Sequence, residues 1–503
     1  MTRAAVLTQD QKTARPVSFL TTTGCVLASA FLIALAQIWP PVAWLCLVGL
    51  IPLLIALETA GFVRIWFSLW LFYCAYFIAS VWWLVQTGGG IGWTLIVVPF
   101  YVGLPLLIPA LGLAWTPTGP LRLLAFPFLL TGFEILTRVI FLRLNWTIVG
   151  LPLVDYPVLS QVASIYPEAV SFLAAWVNVL LLLLVTLRKR QRLIAAAGAL
   201  GLTAAVLAIG FTRSISPDST GHTLKLGLVQ PAIPEDVIWT PQAREPFLTR
   251  ITNLINSAAA DAPDVIVLPE GAINGLVRYD NRLTDFVRST VMRTETPLLF
   301  GSYDRQGDAF YNVAIYIDPH NTVTTYRKIR LAPLMEYEPQ FFPFRRPSTW
   351  LRFTAGTDRT VFSMFTGQRF STMICLEDSM PDLGREFARA GSQLLVSLDS
   401  TQRFEGTSEP LEQLRRARLT AIASGLPMVR CANSGISCLI NPLGRIEKML
   451  REGRPEAAVV EAQLSSFNTA YRTTGDWPWL AAMLIAGFGI GPACRLVRRE
   501  GRS

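Results

Sequence analysis

Histidine is almost missing from this chain, with His222 and His320 the two examples in 503 residues. A Ser-His-Asp or Cys-His catalytic set is therefore poorly furnished, and a histidine-based metal site has little to build on. Lysine is nearly as scarce. Of 44 basic residues five are Lys (Lys12, Lys189, Lys225, Lys328 and Lys448), and arginine supplies the rest. Charge as a whole is thin, at 16% against roughly 25% in an average soluble domain. No glycine-rich loop is placed to cradle phosphate, and no basic stripe is interleaved with aromatics. Nucleic acid is not an expected partner, and no cofactor or metal is expected. The seven cysteines suggest no disulfide framework.

What the chain has instead is apolar length. Hydrophobic residues make up 52% of it and gather toward the ends. Spanning helices are expected near 17–38, 41–60, 64–86, 92–116, 121–142, 163–187 and 193–212, with a lone one near 477–496. Each approaches the ~20 residues that cross ~30 Å of hydrocarbon. Arg64, Arg122 and the run Arg188, Lys189, Arg190 and Arg192 follow the second, fourth and sixth spans, and Arg495, Arg498, Arg499 and Arg502 lie in the tail. With the N-terminus inside, these clusters are cytoplasmic, as the positive-inside rule requires; Arg138 and Arg143 fall on the other side. Three domains result. Residues 1–212 form a membrane domain of about seven transmembrane helices, 213–475 an extracytoplasmic domain, and 476–503 a last transmembrane helix with a basic cytoplasmic tail.

The outer segment alternates strands and helices. "LKLGLVQ", "DVIVLPE", "PLLFGSY", "YNVAIYIDP", "VTTYRKIRL", "FSTMICLED" and "LLVSLDS" read as strands. Helices are expected at 242–259, 381–391 and 409–424, and a hairpin turns at Asn433-Ser434-Gly435. Such alternation predicts a layered α/β domain. Cys431 and Cys438 flank the hairpin, where a disulfide and two unlinked strand residues are both open. Cys375 is then the odd thiol, either a buried filler or a nucleophile.

A free thiol is only a few per cent thiolate at neutral pH, so a catalytic one needs a base or cation beside it. With histidine lacking, that partner must be a carboxylate or a lysine. Glu270 closes a buried strand just after Pro269 and is a candidate base, although a turn carboxylate would look the same. Lys328, between Arg327 and Arg330, offers a compact ammonium that a guanidinium fork cannot imitate. Its plainer reading is a solvated strand lysine. Glu336 is a second carboxylate able to orient the lysine. Leu376 and Glu377 follow the thiol, and the backbone N–H of Leu376 is placed to complete an oxyanion hole.

Taken together, "LPEGA", "YNVAIYIDP…TTYRKIRLAPLMEYEP", "MICLED" and "ASGLPMVRCANSGISCLINPLGRI" resemble the nitrilase, or carbon-nitrogen hydrolase, superfamily in order and spacing. With many spans before and one behind, the whole chain resembles the apolipoprotein N-acyltransferase family. "FEILTR", "NW" and "DYPVLSQVA" match its membrane half more loosely. The resemblance implies a polytopic α-helical membrane domain plus an αββα sandwich, with a Glu-Lys-Cys triad at Glu270, Lys328 and Cys375. Glu336 matches the superfamily's second glutamate. In "VQPAIPEDVIWTP", Trp239 takes the position of a substrate-loop tryptophan. It further implies a bacterial inner-membrane enzyme with its catalytic domain on the periplasmic side. Such an enzyme moves an acyl chain from a phospholipid, by a ping-pong course through a cysteine thioester, to the amino group of a lipoprotein. The chain departs from the family at "LDSTQRFEG", which lacks an expected tryptophan, at "APLMEYEP", and at Leu268, Gly271 and Leu376. These differences leave the acceptor open. A paralogue acylating another amine, for example in conjugal transfer, and a membrane-tethered amidohydrolase stand as alternatives.

Overall fold

The apolar runs of the first half fold as helices, because a chain in hydrocarbon must satisfy its backbone polar groups within the segment. The computed structural model describes residues 18–500 except 88–93, 141–145, 147, 216–218, 235–239, 334, 339–351 and 466. The helices are α1 (Phe19–Ile38), α2 (Ile51–Glu58), α3 (Phe62–Ser80), α4 (Thr94–Gly103), α5 (Leu107–Trp115), α6 (Pro120–Val139), α7 (Ala169–Thr186) and α8 (Lys189–Ile215). Among the described residues of this half, six helical stretches are long and apolar enough to cross a membrane. One of them, 40–58, is a 3-10 segment running into α2. The break between them is stitched by Asn178 of α7, which accepts from the Leu50 amide at 2.9 Å and donates to the Cys46 carbonyl at 2.8 Å.

The apolar run at 92–116 is not one continuous span. It is α4 and α5 with a turn between them. Pro105 has no N–H to continue the first helix, and Gly103 lies so close to Trp70 that a Cβ there would sit 2.9 Å from the indole. The polar residues of α6 find their partners outside their own helix. Glu134 and Arg138, one turn apart, do not pair. Glu134 accepts from the Val149 amide at 2.9 Å, while Arg138 pairs with Glu168 and, at 2.6 Å, with Asp476 just before the last helix.

The second half is built from two six-stranded sheets. The first has the order β12-β1-β2-β3-β4-β5. Its members are β1 (Ser219–Gln230), β2 (Val265–Val267), β3 (Leu298–Gln306), β4 (Ala309–Ile317), β5 (Val323–Arg327) and β12 (Glu456–Ser465). The second runs β11-β10-β9-β8-β7-β6 and comprises β6 (Phe362–Ser363), β7 (Arg369–Ile374), β8 (Leu395–Asp399), β9 (Met428–Ala432), β10 (Cys438–Ile440) and β11 (Ile446–Met449). Leu224, Leu226 and Leu228 alternate inward from β1 and meet Phe370, Met373 and Val396 of the other sheet. Helices α9 (Pro241–Ala259) and α10 (Asn281–Thr294) cover the outer face of the first sheet. The elements α11 (Pro381–Arg389) and α12 (Glu409–Ser424) cover the second, which completes the four layers. After β12 come a short α13 (Ala470–Thr474) and α14 (Trp477–Glu500). Cys431 and Cys438 are buried and unlinked on β9 and β10. The fold class expected from the sequence is the one observed.

Candidate active site

Glu270 stands just beyond β2, where the chain leaves the sheet but stays tied to β3. The Leu268 amide donates to the Leu299 carbonyl at 2.8 Å, and the Gly301 amide to the Pro269 carbonyl at 3.2 Å. This approach requires a glycine, because a Cβ on Gly301 would lie 2.6 Å from Glu270 Cα. Lys328 was expected on a strand, but β5 ends at Arg327. The Lys328 amide still bonds the Asn312 carbonyl at 2.9 Å, and the next two amides turn away to the Glu377 carboxylate. That turn carries the ammonium inward, and Lys328 is 1% exposed. Its Nζ lies 2.9 Å from Glu336 Oε2 and 3.7 Å from Glu270 Oε1.

Cys375 follows β7 directly and has φ +54°, a left-handed conformation that costs a non-glycine residue roughly 1–3 kcal/mol. Such strain persists only where the surroundings over-determine it, and here they do. Glu377, fully buried, accepts from the Tyr326 hydroxyl at 2.8 Å, the Ile329 and Arg330 amides at 2.8 and 2.9 Å, and the Ile374 amide at 2.8 Å. It pins the Lys328 turn to the thiol-bearing turn. Leu376 is the second residue of the 3-10 turn 375–379, so its N–H has no partner within that turn. Trp239 lies outside the described residues.

Two features escaped the sequence reading. Asn312 of β4 donates from Nδ2 to Glu270 Oε1 at 2.7 Å and to Glu336 Oε1 at 2.8 Å, so one amide bridges both carboxylates beside the lysine. A polar residue inside an apolar strand was the available signal. The other feature is a buried network behind the thiol, in which Arg430 bonds Asp378 at 2.9 Å and Asp399 at 2.8 Å. A charged residue within "PMVRCAN" was the clue there.

The electrostatics follow from this crowding. Burial pushes the Glu270 carboxyl up to about 7, with Lys328 pulling it down and Glu336 pushing it up. Burial lowers Lys328, but Glu336 and Glu270 overcome it and hold the ammonium well above its ordinary range. Burial, then Glu270, raise the Cys375 thiol well above its own, against Lys328. The resting pair is thus a neutral thiol near a base that titrates close to neutrality. That arrangement suits general-base activation during attack better than a standing thiolate.

Residues 225–472 match the model of the carbon-nitrogen hydrolase family, and residues 29–180 match that of the apolipoprotein N-acyltransferase N-terminal domain. The chain belongs to the apolipoprotein N-acyltransferase family. A protein named apolipoprotein N-acyltransferase from Brucella melitensis is 29% identical, over 83% of this chain and 82% of its own. Another of that name from Chlorobaculum tepidum is 29% identical over 89% and 92%, and one from Aquifex aeolicus is 27% identical over 65% and 73%. A carbon-nitrogen hydrolase structure from Helicobacter pylori superposes with a TM-score of 0.39 at 16% identity, covering 52% of this chain and 95% of that one.

In this member of the family Asn312 is open to a direct test. Asn312→Leu should lower the rate of acyl transfer by about 10²-fold, since both carboxylates lose their shared donor. Asn312→Asp should be worse, because a third carboxylate would crowd the two. The check is single-turnover acylation with thermal melting as the folding control. An Asn312→Leu rate within twofold of wild type would make the amide structural.

Proposed function

We propose that the protein moves a fatty acyl chain from a phospholipid to the N-terminal amino group of a lipid-modified lipoprotein, through a thioester on Cys375. One observation carries the reading. The thiol, its two carboxylates and a buried lysine sit in a domain whose active-site loops pack directly on the apolar helix bundle. Phe404 and Met335, next to Glu336, join Phe77, Val81, Trp83 and Trp146 in one cluster, with the Trp83 and Phe404 rings 4.9 Å apart. Membrane contact matters because extracting a 16-carbon chain from lipid costs roughly 0.8 kcal/mol per CH₂, more than ~10 kcal/mol in all. An enzyme open to the bilayer avoids that cost.

In the first half, Glu270 takes the Cys375 proton as sulfur attacks the sn-1 ester carbonyl. Lys328 and the Leu376 N–H stabilise the oxyanion. The intermediate collapses, Glu270 returns the proton to the leaving alkoxide, and lysophospholipid departs. In the second half the acceptor amine attacks the thioester, Glu270 takes its proton, and the sulfur leaves and is reprotonated. Glu336 and Asn312 hold the lysine and the base in register. The arginine-rich flanks of the even-numbered spans support an inner-membrane placement with this domain on the periplasmic side. The loop 399–406, with Phe404 but no tryptophan, leaves room for one variant of this reading, a paralogue that uses the same donor chemistry on a different amine.

The test is acyl-enzyme trapping with a phospholipid labelled in its sn-1 chain. Wild type should retain label that neutral hydroxylamine releases, and Cys375→Ala should retain none. Folded wild type that takes no label from any of several head groups would end the proposal. Turnover of small amides in its place would point to the amidohydrolase.

A further inference from the structure

Helix α12 belongs to two cores at once. Leu414, Ala417 and Ala421 belong to the core of the catalytic half, packed beneath the second sheet, whereas Leu419, Ile422 and Ala423 lie in the core of the helix bundle. Its polar side chains divide the same way. Gln413 reaches behind the nucleophile, donating to Asp378 at 3.2 Å and Asp399 at 3.3 Å. Asp378 lies in the turn that begins at Cys375 and is held as well by Arg430 at 2.9 Å and Ser397 at 3.0 Å. At ~100° per residue, positions 415 and 418 lie roughly opposite to 413 on the helix.

Those two positions are arginines, and they converge on one carboxylate of the membrane half. Arg418 pairs with Asp155 Oδ1 at 2.8 Å and bonds the Val154 carbonyl at 2.7 Å. Arg415, fully buried, bonds Asp155 Oδ2 through Nε at 2.9 Å and also reaches the Gln37 carbonyl at the end of α1. Among the described residues no other carboxylate pairs with either arginine.

We propose that Asp155 is a positioning residue for acyl transfer: through Arg415 and Arg418 it fixes α12, and through Gln413 and Asp378 that helix fixes the turn carrying Cys375. The proposal rests on Cys375 being the nucleophile. The physical need is plain, because a cysteine in a left-handed conformation relaxes unless its surroundings hold it. A shift of about 1 Å at a reacting atom is enough to cost ~10²-fold in rate.

The test uses the full-length chain in lipid nanodiscs. Asp155→Asn keeps the shape and removes the charge, and Asp155→Glu is the conservative rescue. Two rates are measured on folded protein, single-turnover thioester formation at saturating phospholipid and alkylation of Cys375 by iodoacetamide, located by peptide mass. Asp155→Asn should slow thioester formation about tenfold or more and slow alkylation, with apparent phospholipid affinity changed less than about twofold. Asp155→Glu should recover most of the loss. Wild-type rates in both assays, with only yield or melting temperature reduced, would overturn the proposal and leave Asp155 a structural tie. If the Asn variant does not fold, Arg418→Gln weakens one arm alone and is judged by the same two outcomes. A wild type that takes no label from phospholipid would sink the acyl-transfer reading, while the alkylation rates would still decide the role of Asp155.

Discussion

Replacing Lys328 by arginine is expected to slow thioester formation by about 10³-fold, the upper range for loss of one oxyanion donor. Charge is retained in this variant, so the loss must come from shape. The ammonium sits 2.9 Å from one carboxylate and 3.7 Å from another, in a site where the residue is 1% exposed. A planar fork is larger and presents its donors at fixed angles. It can satisfy Glu336 or point at the oxyanion, but it cannot do both from the Lys328 position. Single-turnover labelling with the sn-1-labelled phospholipid measures the rate, and a thermal melt shows whether the variant is folded. A rate within tenfold of wild type would remove Lys328 from the reacting centre.

Glu270→Gln should be the other severe loss, about 10²–10⁴-fold, as expected when a general base is removed. It also carries a signature that simple damage lacks. With its carboxyl pushed up to about 7, Glu270 is largely protonated in acid and cannot accept the thiol proton. Thioester formation by wild type should therefore rise as pH increases through about 7 and level off above it. The thiol, held well above its ordinary range, adds no step in that window. Lys328 stays charged throughout, since its neighbours hold it high. The residual rate of Glu270→Gln should lose the rise near neutrality. A variant that kept the same pH profile would show that another group supplies the base.

The catalytic half was legible because its signals are local. The β1 leucines alternate, the strands end in turn residues, and Glu270, Lys328 and Cys375 each lie at or just past a strand end, where side chains are released toward a site. Long-range facts were not legible. Arg138 could be matched by eye with Glu134 one turn away, but its partners are 30 and 338 residues distant. Asn312 declares itself only when β4 brings it between two carboxylates 42 residues behind and 24 ahead. The run 92–116 read as one span because hydropathy averages over Gly103 and Pro105, and the break depends on Trp70 of another helix. Glu377 is visible in the sequence as a neighbour of the thiol, yet three of its four donors come from the stretch 326–330, 47 to 51 residues away, and the fourth from Ile374 beside it.

The separations also set an order of assembly. The membrane helices are synthesised first, yet the cation on α6 waits 338 residues for Asp476, and Asp155 waits 260 for Arg415. Until then the bundle exposes the groove that α12 fills, and Leu419, Ile422 and Ala423 have no home of their own. A chain cut before α12 would leave an open hydrophobic seam among its helices. A catalytic half made alone would carry the matching apolar strip to the surface, where such patches drive association. Neither half closes its apolar surface until the other arrives, and completion of the polypeptide is itself a late step in closing the fold.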